Sequence, residues 1–358
     1  MAAPGDARQP AALPRLDARA RRRSPGRPRL GLALLVVNAG STSLKLHVVE
    51  GDESRRVTSL VQDSGHVSAV AHRVVHGGPR FREPVVIDDE VRAEIEKLEA
   101  LAPLHNAPAL RAIEEAERAL PDVPHVAVFD TAFHATIPDE AATYAVPQRW
   151  RDWGVRRYGF HGLSVQWCAE RVRVPKLVVC HLGGGSSVTA VRDGRSVDTT
   201  MGFSPLEGVP MTTRSGSIDP GALLYLLREH GLDADTLDHE LNFESGMKAL
   251  TGGSGDMREV GQRALDVFTY RVAAAVAAMA AALDGLDALA FTAGIGENSA
   301  VVRSRVCARL AFLGVELDPA ANETAEPDCA ISRSSVVVHV VRAREELVAA
   351  RAARKLLA

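Results

Sequence analysis

At 358 residues, 46% of them hydrophobic and 24% charged, the chain has the make-up of an ordinary globular protein, long enough for two cores. A formal net charge of −3 gives no global basic field for nucleic acid or an acidic membrane, and no uninterrupted apolar run approaches the roughly 20 residues of a membrane span. Cys168, Cys180, Cys307 and Cys329 are scattered without C-x-x-C spacing, which argues against a zinc site or disulfide framework and for a reducing, cytoplasmic setting.

Residues 1–31 carry Arg15, Arg19, Arg21, Arg22, Arg23, Arg27 and Arg29 among Ala and Pro, opposed only by Asp6 and Asp17. They read as a disordered tail or as sequence upstream of the true start, with a transit peptide or nucleic-acid arm as the alternative. The folded part is expected to begin with a strand over 32–37, a polar loop over 38–43, and strands over 44–49, 56–61 and 70–75. Asp88 and Asp89 cap a helix to about residue 101, and a second helix covers 108–120. A strand over 126–130 ends on an acid. Strands over 177–182 and 187–191 flank Gly183, Gly184 and Gly185. Helices are expected over 220–230, 257–283 and 299–313, the middle one alanine-rich and buried. A strand over 289–292 opens onto the glycine-bearing segment 293–298, and a strand over 336–341 precedes a helix over 345–357. Strands then helices, twice, with a glycine-rich loop in each half, predict a two-domain α/β fold around a cleft.

Three loops, 38–43, 181–187 and 293–298, have the small, polar character that lets backbone N–H groups cradle a phosphate, the last with a helix N-terminus behind it. The first is equally compatible with a plain hairpin. None has the P-loop pattern, and the protein-kinase H-R-D and D-F-G signatures are absent. Arg73 stands inside an otherwise apolar strand and Arg214 inside the polar loop 212–220. A buried guanidinium has to meet an anion, either a structural carboxylate or a substrate. Asp130 is such a partner or a metal-site residue; His161, beside a loop, is either structural or catalytic.

These signals form an ordered set: Asn38-Ala-Gly-Ser-x-Ser-Leu-Lys45, His72-Arg-Val-Val-His-Gly-Gly78, Leu101-Ala-Pro-Leu-His-Asn106, Phe129-Asp-Thr-Ala-Phe-His134, Arg157-Tyr-Gly-Phe-His-Gly162, His181-Leu-Gly-x-Gly185, Met201-Gly-Phe-x-Pro-Leu-Glu-Gly208, Thr213-Arg-Ser-Gly-x-Ile-Asp-Pro220 and Gly294-Ile-Gly-Glu-Asn298. From residue 32 to the C-terminus the chain resembles the acetate kinase family of the sugar kinase/Hsp70/actin superfamily. The resemblance implies two RNase H-like domains around a central cleft: 32–130 with 346–358 as a shortened first domain, and 131–345 as a second, nucleotide-binding domain. It implies reversible transfer of the ATP γ-phosphate to acetate by direct in-line attack, with Mg²⁺ or Mn²⁺, in a homodimer whose seam could include 272–283.

Residue by residue, the resemblance makes Arg73, Asp130, His161 and Arg214 the catalytic set. Arg73, Val75, Leu104, Phe160 and Pro205 would hold the acid. Ser41, Ser43, Lys45, His181, Gly183, Gly185, Asp256, Arg258, Gly294, Ile295, Gly296 and Asn298 would line the ATP site, and Asn38 and Glu345 the metal. Departures from the family pattern are Gly184 for Asn, Leu163 and Val165 for Thr and His, Thr212 for Gly, and Ala343-Arg344 for Thr-Asn, the last leaving Glu346 as an alternative to Glu345. Only 28 positions separate Lys45 from Arg73, too few for a crossover helix, so the first domain is expected to be truncated or its strand order altered. A propionate- or butyrate-type kinase and a non-catalytic nucleotide-binding relic are the competing readings.

Overall fold

Continuous apolar runs mark the inner strands: every residue of Leu34–Val37, His125–Phe129 and Ala288–Thr292 is buried, as strands covered on both faces require. The computed structural model describes residues 33–39, 44–60, 66–98, 103–253 and 255–358. Ser41, Ser43, the arginine-rich 1–31 and the side chain of Leu104 lie outside what is described.

In chain order the first half contains β1 (Leu34–Ala39), β2 (Leu44–Glu50), β3 (Glu53–Val57), β4 (Ala69–Val74), β5 (Val85–Val86), α1 (Asp89–Lys97), α2 (Pro103–Ala119) and β6 (His125–Phe129). Next come α3 (Asp139–Ala142), α4 (Gln148–Asp152), α5 (Gly162–Val172), β7 (Lys176–Leu182), β8 (Ser186–Arg192) and β9 (Arg195–Thr199). Then follow α6 (Pro220–Glu229), α7 (Ala234–His239), α8 (Gly246–Thr251) and α9 (Gln262–Ala282). The chain closes with β10 (Ala288–Thr292), α10 (Ala293–Asn298), α11 (Ala300–Ala308), α12 (Pro319–Glu323), β11 (Cys329–Ala330), β12 (Val337–Val340) and α13 (Glu345–Leu357).

The two sheets repeat one plan. The first runs β3-β2-β1-β4-β6-β5 and the second β9-β8-β7-β10-β12-β11. In each, three antiparallel strands lead to two parallel neighbours and an antiparallel edge strand. This is a pair of similar RNase H-like domains. α1 and α2 cover the outer face of the first sheet through Ile95, Ile113 and Ala116, while α9 and α11 cover the outer face of the second. Between the sheets, α5 and α13 share one core, with Leu163, Val165 and Trp167 meeting Leu347, Val348 and Ala350. The two family-divergent residues Leu163 and Val165 therefore serve this core.

The expected alteration of strand order is not found: β4 keeps its parallel pairing with β1, Asn38 opposite Arg73. β3 stops at Val57, which leaves 58–68, eleven residues, for the crossover. Extended residues reach about 3.3 Å each, so eleven span about 36 Å. That suffices for three strand spacings of about 4.8 Å and the return along β3 without a helix. Leu60 and Val67 pack in the same core as Ala112 and Ala116 of α2. The first sheet has six strands, like the second.

α9 is long and apolar enough, by length and composition, to cross a membrane. Its Phe268, Val272, Val276 and Met279 pack into the core of the second sheet, while Ala274, Ala278, Ala281 and Ala282 on its other side are exposed. α6 also leaves apolar surface open, with no fully buried residue and with Leu224 and Tyr225 47% and 56% exposed.

Candidate active site

The ends of β1, β4, β6 and β7 bring the charged set to one cleft. Arg73, next to last in β4, donates from Nε to Asp130 Oδ1 at 2.9 Å and from Nη2 to Oδ2 at 2.5 Å. Its Nη1 donates to Asn38 Oδ1 at 2.9 Å and lies 3.5 Å from Glu345 Oε2. Asn38 Nδ2 donates in turn to Glu345 at 3.2 Å. Burial works against the Arg73 charge, but the Asp130 and Glu345 carboxylates reverse this and hold its pKa above the ordinary value. Burial lifts the Asp130 carboxyl, against the pull of Arg73. At Glu345 the balance goes the other way: Arg73 and His181 outweigh burial and keep the acid below its usual range, hence ionised.

His161 caps α5 in a left-handed conformation, φ 60°. Such backbone is costly for a residue with a side chain and is held here by its surroundings. Gly162 donates to the Asp130 carbonyl, and a Cβ on it would stand 2.0 Å from that oxygen, so only glycine lets α5 start so close to β6. The His161 ring stacks on His181 at 4.0 Å and bonds Ser187 Oγ at 3.0 Å, while His181 bonds Ser164 Oγ at 2.8 Å. Burial, then His181, Arg73 and Arg214, hold His161 well below its usual pKa; burial holds His181 at about 4. Both rings are neutral near pH 7.

Arg214 reaches the same place from the loop before α6. Its Nη1 donates to the Pro205 carbonyl at 3.1 Å and lies 3.7 Å from Met211 Sδ. A Cβ on Gly185 would stand 3.1 Å from His161 Nε2 and 3.6 Å from Arg214 Nη1. Arg73 and Arg214, from the two halves of the chain, thus flank one histidine. Gly246, φ 63°, lets α8 close beneath the Arg214 loop, where a Cβ would meet Met211 O at 2.2 Å. Tyr144 and Arg157 both hold Glu207, and Arg157 also binds the carbonyls of Thr199, Thr200 and Met201, which fixes the segment carrying Pro205.

Val75 and Phe160 form a small buried cluster with Met201 and Met211, the four at 5%, 1%, 0% and 0% exposure. Three of the four adjoin the charged set: Val75 directly follows β4, which carries Arg73, Phe160 precedes His161, and Met211 Sδ lies 3.7 Å from Arg214 Nη1. Met201 has no signal in the sequence beyond its place in a motif, and Met211 lies between two motifs.

Two hollows follow from this centre. One, of about 700 Å³, is lined by Asn38, Lys45, Arg73, His161, His181 and Glu345. The other, of about 910 Å³, is lined by Asp256, Arg258, Ile295, Asn298 and Thr212. Gly183, Gly184 and Gly294 line both, so they are parts of one cleft. Gly185 lines the first. Arg258 grips Asp256 at the outer rim. Gly296 departs from expectation: it lines neither hollow, and its carbonyl accepts from the buried Arg303 at 3.0 Å. Arg303, unremarked in the sequence, also binds Glu297 O and Asn322, tying the 293–298 turn to α11 and α12. For a hard divalent cation, the ionised Glu345 and the amide oxygen of Asn38 are a fitting but sparse oxygen set, the kind that leaves most coordination to water and phosphates.

Comparison with known proteins bears on this cleft. A profile described as the acetokinase family matches residues 55–351. The acetate kinase of Protochlamydia amoebophila (strain UWE25) is 46% identical over 316 residues, 84% of this chain and 80% of that one. That of Nostoc punctiforme is 46% identical over 309 residues, 81% and 76% of the two. Among solved structures, Porphyromonas gingivalis acetate kinase superposes with a TM-score of 0.82 at 32% identity, covering 91% of this chain and 100% of that one. A propionate kinase from Francisella tularensis gives 0.80 at 33%, covering 89% and 98%.

Proposed function

The chain belongs to the acetokinase family and is a phosphotransferase with a carboxylate acceptor, and we propose that its acceptor is acetate, converted with ATP to acetyl phosphate and ADP. The observation that carries this reading is the convergence of Arg73 and Arg214 on His161, beside a buried apolar cluster of Val75, Phe160, Met201 and Met211. A small acid has a pKa of about 4, so it arrives ionised and needs no general base. The difficulty is the repulsion between that anion and the ATP γ-phosphate. Two permanent cations in a shielded cleft offset it, and they match the charge that spreads over equatorial oxygens in flight.

Arg73 holds the carboxylate, with Asp130 fixing the guanidinium plane; Arg214 and the neutral His161 hold the phosphoryl group in line. Gly183, Gly185, His181 and Lys45 face the phosphates, with Ser41 and Ser43 assigned there from the motif alone. Asp256, Arg258, Gly294, Ile295 and Asn298 face the adenosine. Glu345 and Asn38 would hold Mg²⁺ or Mn²⁺, which when bound neutralises charge on the β- and γ-phosphates. An acyl site walled by these bulky apolar side chains would favour acetate or propionate over butyrate, each methylene being worth about 1–3 kcal/mol. The complete first sheet and continuous cleft speak for an enzyme over a relic. We place the activity in the cytoplasm, in a homodimer that covers α6. Hydroxamate trapping with Mg-ATP and acetate, propionate or butyrate tests the reading: acetyl hydroxamate is expected, and ATP binding without any acyl phosphate would refute it.

A further inference from the structure

Back to back with the catalytic centre, a hollow of about 530 Å³ opens between β6, α5 and α13. Its floor is apolar, formed by Phe129, Phe133, Leu163, Val348 and Ala352, with Leu356, 43% exposed, as an outer wall. The size is that of small-molecule sites, and an apolar hollow left open to water on a folded domain calls for an occupant. The rim is biased in charge. Arg351 is shared between Glu170 at 3.1 Å and Asp52 at 2.8 Å, so it adds no free positive charge to the rim. Arg82 and Lys355 have no ion pair among the described residues, and they face a single further acid, Glu83. An apolar trough with surplus positive charge at its mouth fits a ligand with one anionic head and a hydrocarbon tail.

The hollow also abuts the machinery. Phe129 precedes Asp130 and Leu163 follows His161 by two residues. There is no slack between them: a Cβ on Gly162 would stand 3.0 Å from Phe133 Cβ as well as 2.0 Å from the Asp130 carbonyl. We propose that this hollow is a binding site for a medium-chain monocarboxylate, its tail on the Phe133–Ala352 floor and its carboxylate between Arg82 and Lys355, and that occupancy is felt at Asp130 and His161 as a change in turnover.

Calorimetric titration of the full chain with hexanoate and octanoate, at saturating acetate, tests the site. One binding event is expected, and octanoate should bind about 15-fold tighter, since each buried methylene multiplies affinity about fourfold. The Arg82→Glu/Lys355→Glu variant should lose at least tenfold in octanoate affinity, and Ala352→Phe, which fills the floor, should lose the event. The charge-reversed variant should match the parent in turnover without octanoate. Unchanged affinity in the charge-reversed variant, or displacement of octanoate by acetate, would overturn the site. Binding that leaves kcat unaltered would overturn the coupling. The titration reads the site whichever acid the cleft phosphorylates.

Discussion

Arg73 and Asp130 meet across adjacent strands as a two-point fork, buried on the Asp130 side while 13% of the Arg73 side chain remains open to the cleft. Arg73→Ala therefore has two effects. It removes the carboxylate clamp, lowering kcat/KM by about 10³ or more, and it strands a buried acid at about 3–5 kcal/mol. Adding Asp130→Asn should restore most of the thermal stability and none of the turnover. Recovery of both would mean that Arg73 is structural.

Arg214 should behave differently. Burial lowers its pKa, so the folded chain disfavours the very charge it holds. Arg214→Met should leave Tm unchanged or raised while kcat falls by about 10³, ATP binding being largely kept. Near-normal kcat would remove Arg214 from the phosphoryl site.

Met201 and Met211 pack with Val75 and Phe160, the residues proposed to receive the acyl group. Met201→Ala, measured by kcat/KM for acetate and butyrate in parallel, should shift preference toward butyrate by about tenfold or more. An unchanged ratio would place the acyl group elsewhere.

Acid should unfold this protein early. Burial holds His72 at about 3, and His76, His134, His181 and His339 at about 4, with His161 also well below its unfolded value of 6.5. Between about pH 6.5 and 4 the unfolded chain binds protons that the folded one refuses, so stability rises with pH and is lost as pH falls through that window. Tm should drop steeply from pH 7 to 5, with several protons taken up on unfolding. A flat Tm over that range would contradict these buried, neutral imidazoles.

Legibility in the sequence followed physical cause. α13 was readable at both ends because acids open it and basic residues close it. The inner strands showed as apolar runs. α5 did not show: it lacks a side-chain cap, and being wedged between two sheets it is buried nearly all round, so no amphipathic stripe survives. β9, a polar strand at the end of its sheet, left no alternation to read. Within the site, Arg73, Asp130, His161 and Arg214 stood out as charges in apolar or glycine-rich company. Met201 and Met211 did not, since a methionine in a loop carries no pattern. Gly296 was misplaced because a turn's glycines look alike in sequence, whichever way the peptide between them faces.

His161 stands at the leading end of α5 and Glu345 at that of α13, and these two helices share the core between the sheets. Any swing of one domain against the other has to slide these helices past each other, and so has to carry His161 and Glu345 with it. Mechanical play at this seam and alignment at the reacting atoms are then one variable, and substitutions far from either substrate would register as changes in rate before they registered as changes in affinity.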